Sequence, residues 1–176
     1  SSVHITADLD AAAEASSLWA VAVPSQNLRS VAERLRPHTG KLGTIVSLAK
    51  GIENDTLMTM SRVLRDVLDD VPEERIGVLY GPSHAEEVAR GIPAAVVVAS
   101  PVPEQTQAWQ DWFNSGPFRI YTGDDAAGVE LGGALKNVVA LAAGISDGIG
   151  YGDNTKAALM TRGLAEMIRL GTAAGA

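Results

Sequence analysis

Two lysines occupy positions where an amine could take part in chemistry. Lys136 belongs to an almost entirely apolar stretch, 126–145, whose composition predicts a helix buried on all sides. An unpaired buried ammonium is very costly and loses its proton instead. No acidic residue lies one helical turn from Lys136, and Glu130 is six residues away, so no ion pair along the helix is available. Lys136 is therefore expected to pair with another element, to face a cavity where something binds, or to extend its amine to water along a buried stem.

Lys50 directly follows an apolar run that predicts a buried strand, and Gly51 lets the backbone bend close to a ligand. Two other predicted strands end in similarly unusual residues, at 24–25 and 81–83. Ligands of open α/β sheets bind in the crevice at the carboxyl ends of the strands, where these three segments would meet if the strands are parallel. The alternative is that Lys50 is an ordinary solvated lysine. With Lys50 and Lys136 on either side of a cleft between domains, a partly desolvated amine could exchange protons near neutral pH.

Ser83 and Glu86 have the spacing of a capping box, in which a hydroxyl and a carboxylate satisfy free amides at the start of a helix. The same amides attract a phosphate or another polar ligand group, so a capping role and a binding role can coexist. His84 has no visible partner and is assigned no role. Asp124 and Asp125 precede the long apolar helix and are expected to cap it rather than to form a pair of catalytic acids.

Apolar strands alternate with helices up to about Asp124, which predicts an α/β fold with parallel strands and right-handed crossovers. The sheet is expected to begin at Val3, and a helix capped by Asp55 or Thr56 is expected to carry Leu57 on its apolar face. Only helices follow, so a domain boundary is placed near 123–125. The predicted strands cover 18–23, 44–49, 76–80, 94–99 and 118–122, and the predicted helices begin near 8, 28, 55, 83, 103, 126 and 154.

Composition argues against several classes of function. The net charge of −7 disfavours a nucleic-acid-binding protein, which needs a basic face. Without cysteine there is neither a disulfide scaffold nor a thiolate metal site, and three scattered histidines lack metal-ligand spacing, so no metal is expected. The sequence starts without a signal-peptide pattern, and Glu130, Lys136 and Asn137 disfavour a membrane span at 126–145. A cytoplasmic, soluble protein without membrane insertion is expected.

Six motifs, taken together, resemble one known family. They are GVELGGALKN at 128–137, AGISDG at 143–148, GDNTKAA at 152–158, AVPS at 22–25, AKG at 49–51 and GPS at 81–83. Their order and spacing are similar to those of the NAD(P)-dependent glycerol-3-phosphate dehydrogenases, most of all the bacterial branch. The resemblance implies a partial Rossmann-type parallel sheet for the cofactor at 1–123, followed by the first helices of an all-α substrate domain at 124–176.

The resemblance also implies a reaction and a set of site residues. The reaction is reversible hydride transfer between NAD or NADP and the pair dihydroxyacetone phosphate and sn-glycerol 3-phosphate, which feeds phospholipid synthesis. Lys136 matches the proton donor and acceptor of the family. Lys50 matches a lysine that contacts substrate and cofactor and would stabilise a developing oxyanion. The other matching positions are Gly81, Ser83 and Asn137 for the substrate and Pro24 and Ala85 for the cofactor.

The sequence departs from the family in what it lacks. It has no glycine-rich cofactor turn before its first strands and no Arg-Asn pair to hold the substrate phosphate after its last helix. We therefore expect a fragment with little or no activity of its own. The residues that select NAD or NADP would also lie outside it.

Two alternatives remain open at this stage. One is a related two-domain dehydrogenase of a hydroxy acid or a ketopantoate-like substrate. The other is a non-catalytic assembly module, whose exposed strand edges and apolar helix faces would be covered by dimerisation or by exchange of elements. The expected partners are thus a small-molecule substrate and a second copy of the chain, in a homodimer.

Overall fold

A computed structural model of the chain describes residues 3–176 as a five-stranded sheet with helices on both faces, continued by a pair of long helices. The predicted α/β class is confirmed. The strands are β1 (Leu18–Val21), β2 (Thr44–Ser47), β3 (Ile76–Tyr80), β4 (Ala94–Ala99) and β5 (Phe118–Gly123). The α-helices are α1 (Leu9–Glu14), α2 (Leu28–Leu35), α3 (Met60–Val67), α4 (Ala85–Ala89), α5 (Pro103–Phe113), α6 (Ala126–Ile149) and α7 (Asp153–Ala173).

The strands lie in the order β1-β2-β3-β4-β5, and one of the four pairings is antiparallel. β1 with β2, β2 with β3, and β4 with β5 are parallel, as predicted, whereas β3 and β4 run in opposite directions. The expectation of a wholly parallel sheet is wrong because the helix between β3 and β4, α4, has five residues and rises only about 7.5 Å. A strand of five residues such as β3 spans about 17 Å, so α4 does not run the length of the strand, and β4 begins at the end of the sheet where β3 finishes.

Two local predictions in the first third of the chain are wrong. Residues 3–6 form no strand, and the side chains of Val3 and Ile5 are exposed. Leu57 is not on a helix: its φ is +58°, its side chain is 74% exposed, and α3 begins only at Met60 with Thr59 as its N-cap. The boundaries predicted for β3 and β4 are confirmed.

The core is divided between the two faces of the sheet, because successive residues of a strand point to opposite sides. On one face, Leu79 of β3 packs in a cluster with Trp109 of α5. On the other face, Val78 and Tyr80 pack with Ala126 and other residues at the start of α6. The first turns of α6 therefore belong to the packing of the sheet.

The strand β1 is buried on one face only. Trp19 and Val21 are buried, whereas Leu18 and Ala20 are exposed. The prediction that this strand is covered on both faces is wrong for the described residues, since β1 lies at the edge of the sheet and no described helix covers that part of its second face.

The helix α6 is also less buried than predicted. Only Glu130, Leu131 and Ser146 of its side chains are buried, because beyond its first turns it packs mainly against α7. Apolar side chains of both helices remain exposed, among them Val138, Leu141, Ile145, Leu164 and Ile168. By length and composition α6 could cross a membrane, which is weak evidence because core helices of soluble proteins meet the same criterion.

Candidate active site

The carboxyl ends of the first three strands lie together at one end of the sheet, as predicted from their parallel pairing. We call this region, formed by residues 24–26, 50–52 and 81–83, the strand-end edge. The Lys50 ammonium donates hydrogen bonds to the Gly81 carbonyl oxygen at 2.9 Å and to Ser83 Oγ at 3.1 Å. Gln26, which follows Pro24 and Ser25 in the turn after β1, donates from Nε2 to the Ile52 carbonyl at 2.8 Å. Three segments that are distant in sequence thus form one polar edge.

Two glycines shape this edge. Gly51 has φ +148° and Gly81 has φ +152°, conformations that side chains rarely adopt. A Cβ at Gly51 would lie 2.6 Å from Ser25 Oγ, and a Cβ at Gly81 would lie 2.7 Å from Val96 Cα. Both positions therefore require glycine, because their backbone conformation is unfavourable for side chains and neighbouring segments of the protein occupy the space that a Cβ would take.

The pKa of the Lys50 amine is lowered by its surroundings, which include the second candidate lysine. Partial burial lowers the pKa of the Lys50 amine, and the positive charge of Lys136 lowers it further. The expectation that Lys50 and Lys136 face one site stays a prediction.

Lys136 itself is exposed and donates only to Asn137 Oδ1, at 3.3 Å. Over residues 3–176 it has no acidic partner, so the alternative of an ion pair with another element does not apply there. The expectation that α6 is buried on all sides is wrong at Lys136, because beyond its first turns α6 packs mainly against α7.

Other predicted residues surround the edge without contacting Lys50. Pro24 is exposed in the turn after β1, and Ala85 is the exposed first residue of α4. The capping box predicted at 83–86 is wrong, because His84 is the N-cap of α4 and no side chain caps it, while the Ser83 hydroxyl bonds to Lys50. Asp125 caps α6 as expected, accepting from the Gly128 amide at 2.8 Å.

Two residues that hold the site together were not recognised in the sequence. Glu130 is fully buried and accepts hydrogen bonds from the Ser61 amide at 2.7 Å and from Ser61 Oγ at 2.5 Å. Burial raises the pKa of the Glu130 carboxyl, and the hydrogen bonds from Ser61 partly offset that rise. The available signal was a carboxylate inside an apolar stretch, which needs polar partners.

Tyr80 is the second such residue. It ends β3 just before Gly81, is 2% exposed, and donates its hydroxyl hydrogen to the Ala49 carbonyl. Burial raises the pKa of the Tyr80 hydroxyl far above its usual range, so this group is a permanent donor. A hydroxyl at the end of an otherwise apolar buried strand was the signal in the sequence.

An open α/β sheet with a polar crevice at its strand ends, facing a lysine on the following helix, defines a ligand-binding α/β protein continued by a helical unit. Residues 1–106 match the family described as NAD-dependent glycerol-3-phosphate dehydrogenase N-terminus, and residues 125–176 match the corresponding C-terminus. The chain belongs to the NAD-dependent glycerol-3-phosphate dehydrogenase family, and the resemblance noted in the sequence is confirmed.

Individual relatives agree with this assignment. The chain is 62% identical over 175 residues to glycerol-3-phosphate dehydrogenase (NAD(P)+) 2 of Salinibacter ruber, covering 99% of this chain and 51% of that protein. The crystal structure of glycerol-3-phosphate dehydrogenase from Coxiella burnetii superimposes with a TM-score of 0.84 at 38% identity, covering 96% of this chain and 50% of that one. The yeast enzyme from Saccharomyces cerevisiae gives a TM-score of 0.84 at 28% identity, covering 94% and 49%. The chain spans about half the length of the curated relatives it matches.

Proposed function

We propose that this chain carries one side of the active site of an NAD- or NADP-dependent glycerol-3-phosphate dehydrogenase, which interconverts dihydroxyacetone phosphate and sn-glycerol 3-phosphate for phospholipid synthesis. The observation that carries the proposal is the pair of hydrogen bonds that hold the Lys50 ammonium at the strand ends, one to the Gly81 carbonyl oxygen and one to Ser83 Oγ. The names of the relatives support the choice of substrate and cofactor. The alternative of a hydroxy-acid or ketopantoate-type dehydrogenase is not favoured, because glycerol-3-phosphate dehydrogenase profiles match both parts of the chain.

In this proposal the two amines have different roles. Lys136, which has no carboxylate partner within residues 3–176, donates a proton to the carbonyl oxygen of the substrate and takes it back in the reverse direction. Lys50, oriented by Gly81 and Ser83, holds the negative charge that develops on the same oxygen. Gly81, Ser83 and Asn137 contact the substrate, and Asn137 also orients the Lys136 amine.

The residues at the edge fit the reactive end of a nicotinamide cofactor. Gly51 and Gly81 keep the turns beside Lys50 free of side chains, and Pro24 and Ala85 are exposed near the ends of their strands. When bound, the nicotinamide supplies or accepts the hydride. Over residues 3–176 there is no glycine-rich strand-to-helix turn for the pyrophosphate, so this chain would hold only part of the cofactor.

The proposal includes a division into a cofactor-binding unit at 1–123 and the start of a substrate unit at 124–176. It also includes a soluble, cytoplasmic location, since α6 carries Glu130, whose carboxylate bonds to Ser61 of α3, and an ionisable side chain is costly in lipid. A homodimer is part of it because apolar side chains of α6 and α7 are exposed in the single chain. Sedimentation that shows only monomers would contradict the homodimer.

A chimera tests the proposed reaction. The matching half of the Salinibacter ruber relative is replaced by this chain, and oxidation of NADH or NADPH is followed with dihydroxyacetone phosphate. We expect the chimera to be active, the isolated chain to have little or no activity, and Lys136→Met in the chimera to lower kcat by about 10²–10⁴-fold.

Lys41→Met is the matched control, because Lys41 is an exposed lysine that precedes β2, at the end of that strand away from Lys50, and it should leave kcat unchanged. A stable chimera that reduces a ketopantoate-like substrate but not dihydroxyacetone phosphate would refute the substrate assignment. Full activity of the Lys136→Met chimera would refute the proton-transfer role.

A further inference from the structure

Tyr80 contacts both segments that carry the candidate lysines. Its hydroxyl bonds to the residue before Lys50, and its ring packs against α6 one turn before Lys136. We propose that Tyr80 is a positioning residue that sets the separation of the Lys50 and Lys136 amines. The inference rests on the proposed function for the roles of the two lysines. The positioning of the lysines by Tyr80 does not depend on those roles.

On the Lys50 side, the contact is a hydrogen bond in a buried environment. Tyr80 donates to the carbonyl oxygen of Ala49, whose side chain is 3% exposed. The Gly51 amide also lies close enough to the Tyr80 hydroxyl to oppose the rise of its pKa. The hydrogen bond thus holds the carbonyl of the residue immediately before Lys50, two residues beyond the end of β2.

On the α6 side, the contact is a steric one. A Cβ at Gly133 would lie 2.3 Å from Tyr80 Cδ1 and 3.0 Å from Cε1, so the helix backbone approaches the ring as closely as glycine permits. Lys136 follows Gly133 by three residues and lies on the same side of the helix. Any side chain at position 133 would push α6, and Lys136 with it, away from the strand-end edge.

Neither contact is needed merely to fill the core. A phenylalanine would bury the same ring without a polar atom, whereas the tyrosine hydroxyl is directed at the carbonyl immediately before Lys50. The neighbouring residue, Gly132, differs from Gly133. A Cβ built on Gly132 has no atom within 4 Å, whereas a Cβ built on Gly133 meets the Tyr80 ring. The close approach is therefore specific to the turn that leads to Lys136.

The test measures the pKa of the Lys50 amine by NMR in the 176-residue chain with 13C-labelled lysine, assigned with a Lys50→Arg variant. Tyr80→Phe removes only the hydroxyl, and Gly133→Ala separates α6 from the ring. Both changes should raise the Lys50 pKa toward the ordinary value of 10.5, the first by releasing the Ala49 carbonyl before Lys50 and the second by moving the Lys136 charge away.

Two matched controls should leave the titration of Lys50 unchanged. Tyr121→Phe alters an exposed tyrosine on β5, and Gly132→Ala adds a methyl group to open space on the same helix. A folded Tyr80→Phe protein with an unchanged Lys50 pKa would overturn the inference, and this variant decides the question if Gly133→Ala does not fold. An inactive chimera would refute the proposed function but would leave this measurement unaffected.

Discussion

The carboxylate of Glu130 and the amide and hydroxyl of Ser61 are joined by two hydrogen bonds in the interior of the protein. Ser61 is the second residue of α3, so the carboxylate satisfies donors at the start of that helix, where negative charge is favourable. Glu130 is also in the second turn of α6. One side chain therefore ties the helix that carries Lys136 to a helix of the sheet domain.

The first prediction concerns the contribution of Glu130 to stability. Glu130→Ala removes the acceptor of the part-buried Ser61 amide and hydroxyl, of which only the hydroxyl has another partner, Thr59 Oγ1 at 3.4 Å, and should lower the free energy of unfolding by about 3 kcal/mol. Glu130→Gln should retain most of the stability, because its amide can accept from the Ser61 N–H and donate to the Ser61 hydroxyl. Urea unfolding measures both. Glu74→Ala, at an exposed glutamate, should change stability by less than about 0.5 kcal/mol; equal losses for Glu74 and Glu130 would contradict the role of this contact.

The second prediction is the pH dependence of the same site. Burial raises the pKa of Glu130 in the folded chain above its ordinary value of 4.5, so the folded state binds this proton more tightly than the unfolded state. The contribution of the group is thus complete below pH 4.5 and is lost as the pH rises through the folded-state pKa. Glu130→Gln does not titrate, so its stability relative to the parent chain should improve as the pH is raised from 4.5 in urea-unfolding measurements. A relative stability that falls over that range would show that the folded-state pKa is lowered instead.

The third prediction concerns the reactivity of Lys50. Because burial and then the Lys136 charge lower the Lys50 pKa, the unprotonated amine should be available at lower pH than in a solvated lysine. Acylation of Lys50 by an N-hydroxysuccinimide ester, followed by mass spectrometry over a pH series, measures this. In Lys136→Met the acylation profile of Lys50 should move to higher pH, and in Lys41→Met it should not move. An identical profile in all three proteins would mean that the two lysines are too far apart to interact.

The fourth prediction compares two arginines. Arg29 binds the buried Glu53 carboxylate through Nε and Nη2, each at 2.9 Å, and Asp66 through Nη1 at 2.6 Å, which connects α2 with α3. Arg29→Met leaves the Glu53 charge buried with only the Thr56 hydroxyl and should lower the free energy of unfolding by about 2 kcal/mol. Arg65→Met, which breaks the exposed pair with Glu73, should lower it by less than about 1 kcal/mol.

The pH dependence of this arginine contact has the opposite sign to that of Glu130. The hydrogen bonds from Arg29 lower the Glu53 pKa below its ordinary value of 4.5, so the stabilisation is present above that pH and is lost as the pH falls through the folded-state pKa. The difference between Arg29→Met and the parent chain should therefore shrink in acid. A difference that is independent of pH would indicate that Arg29 acts through packing alone.

The amino-acid sequence by itself determined the class of fold and the positions of most elements. Apolar runs of strand length separated by helical spacing predict β3 and β4 with their observed bounds, because buried strands are continuous apolar segments. It also determined the family, and it indicated that the first three strand ends lie together, since parallel neighbours share one edge. On that basis the sequence predicted that Lys50 lies near Gly81 and Ser83.

Only the tertiary structure decided the direction of one strand, the exposure of one helix and the hydrogen-bond partners of buried polar side chains. The direction of β4 follows from a helix too short to cross the sheet, and the exposure of Lys136 follows from where α6 leaves the sheet. A hydrophobic pattern predicts which residues are buried, but it does not identify the helix or strand that packs against them. For the same reason the partners of Glu130 and Tyr80 could not be read from the sequence: hydrogen bonds between distant segments have no spacing along the chain.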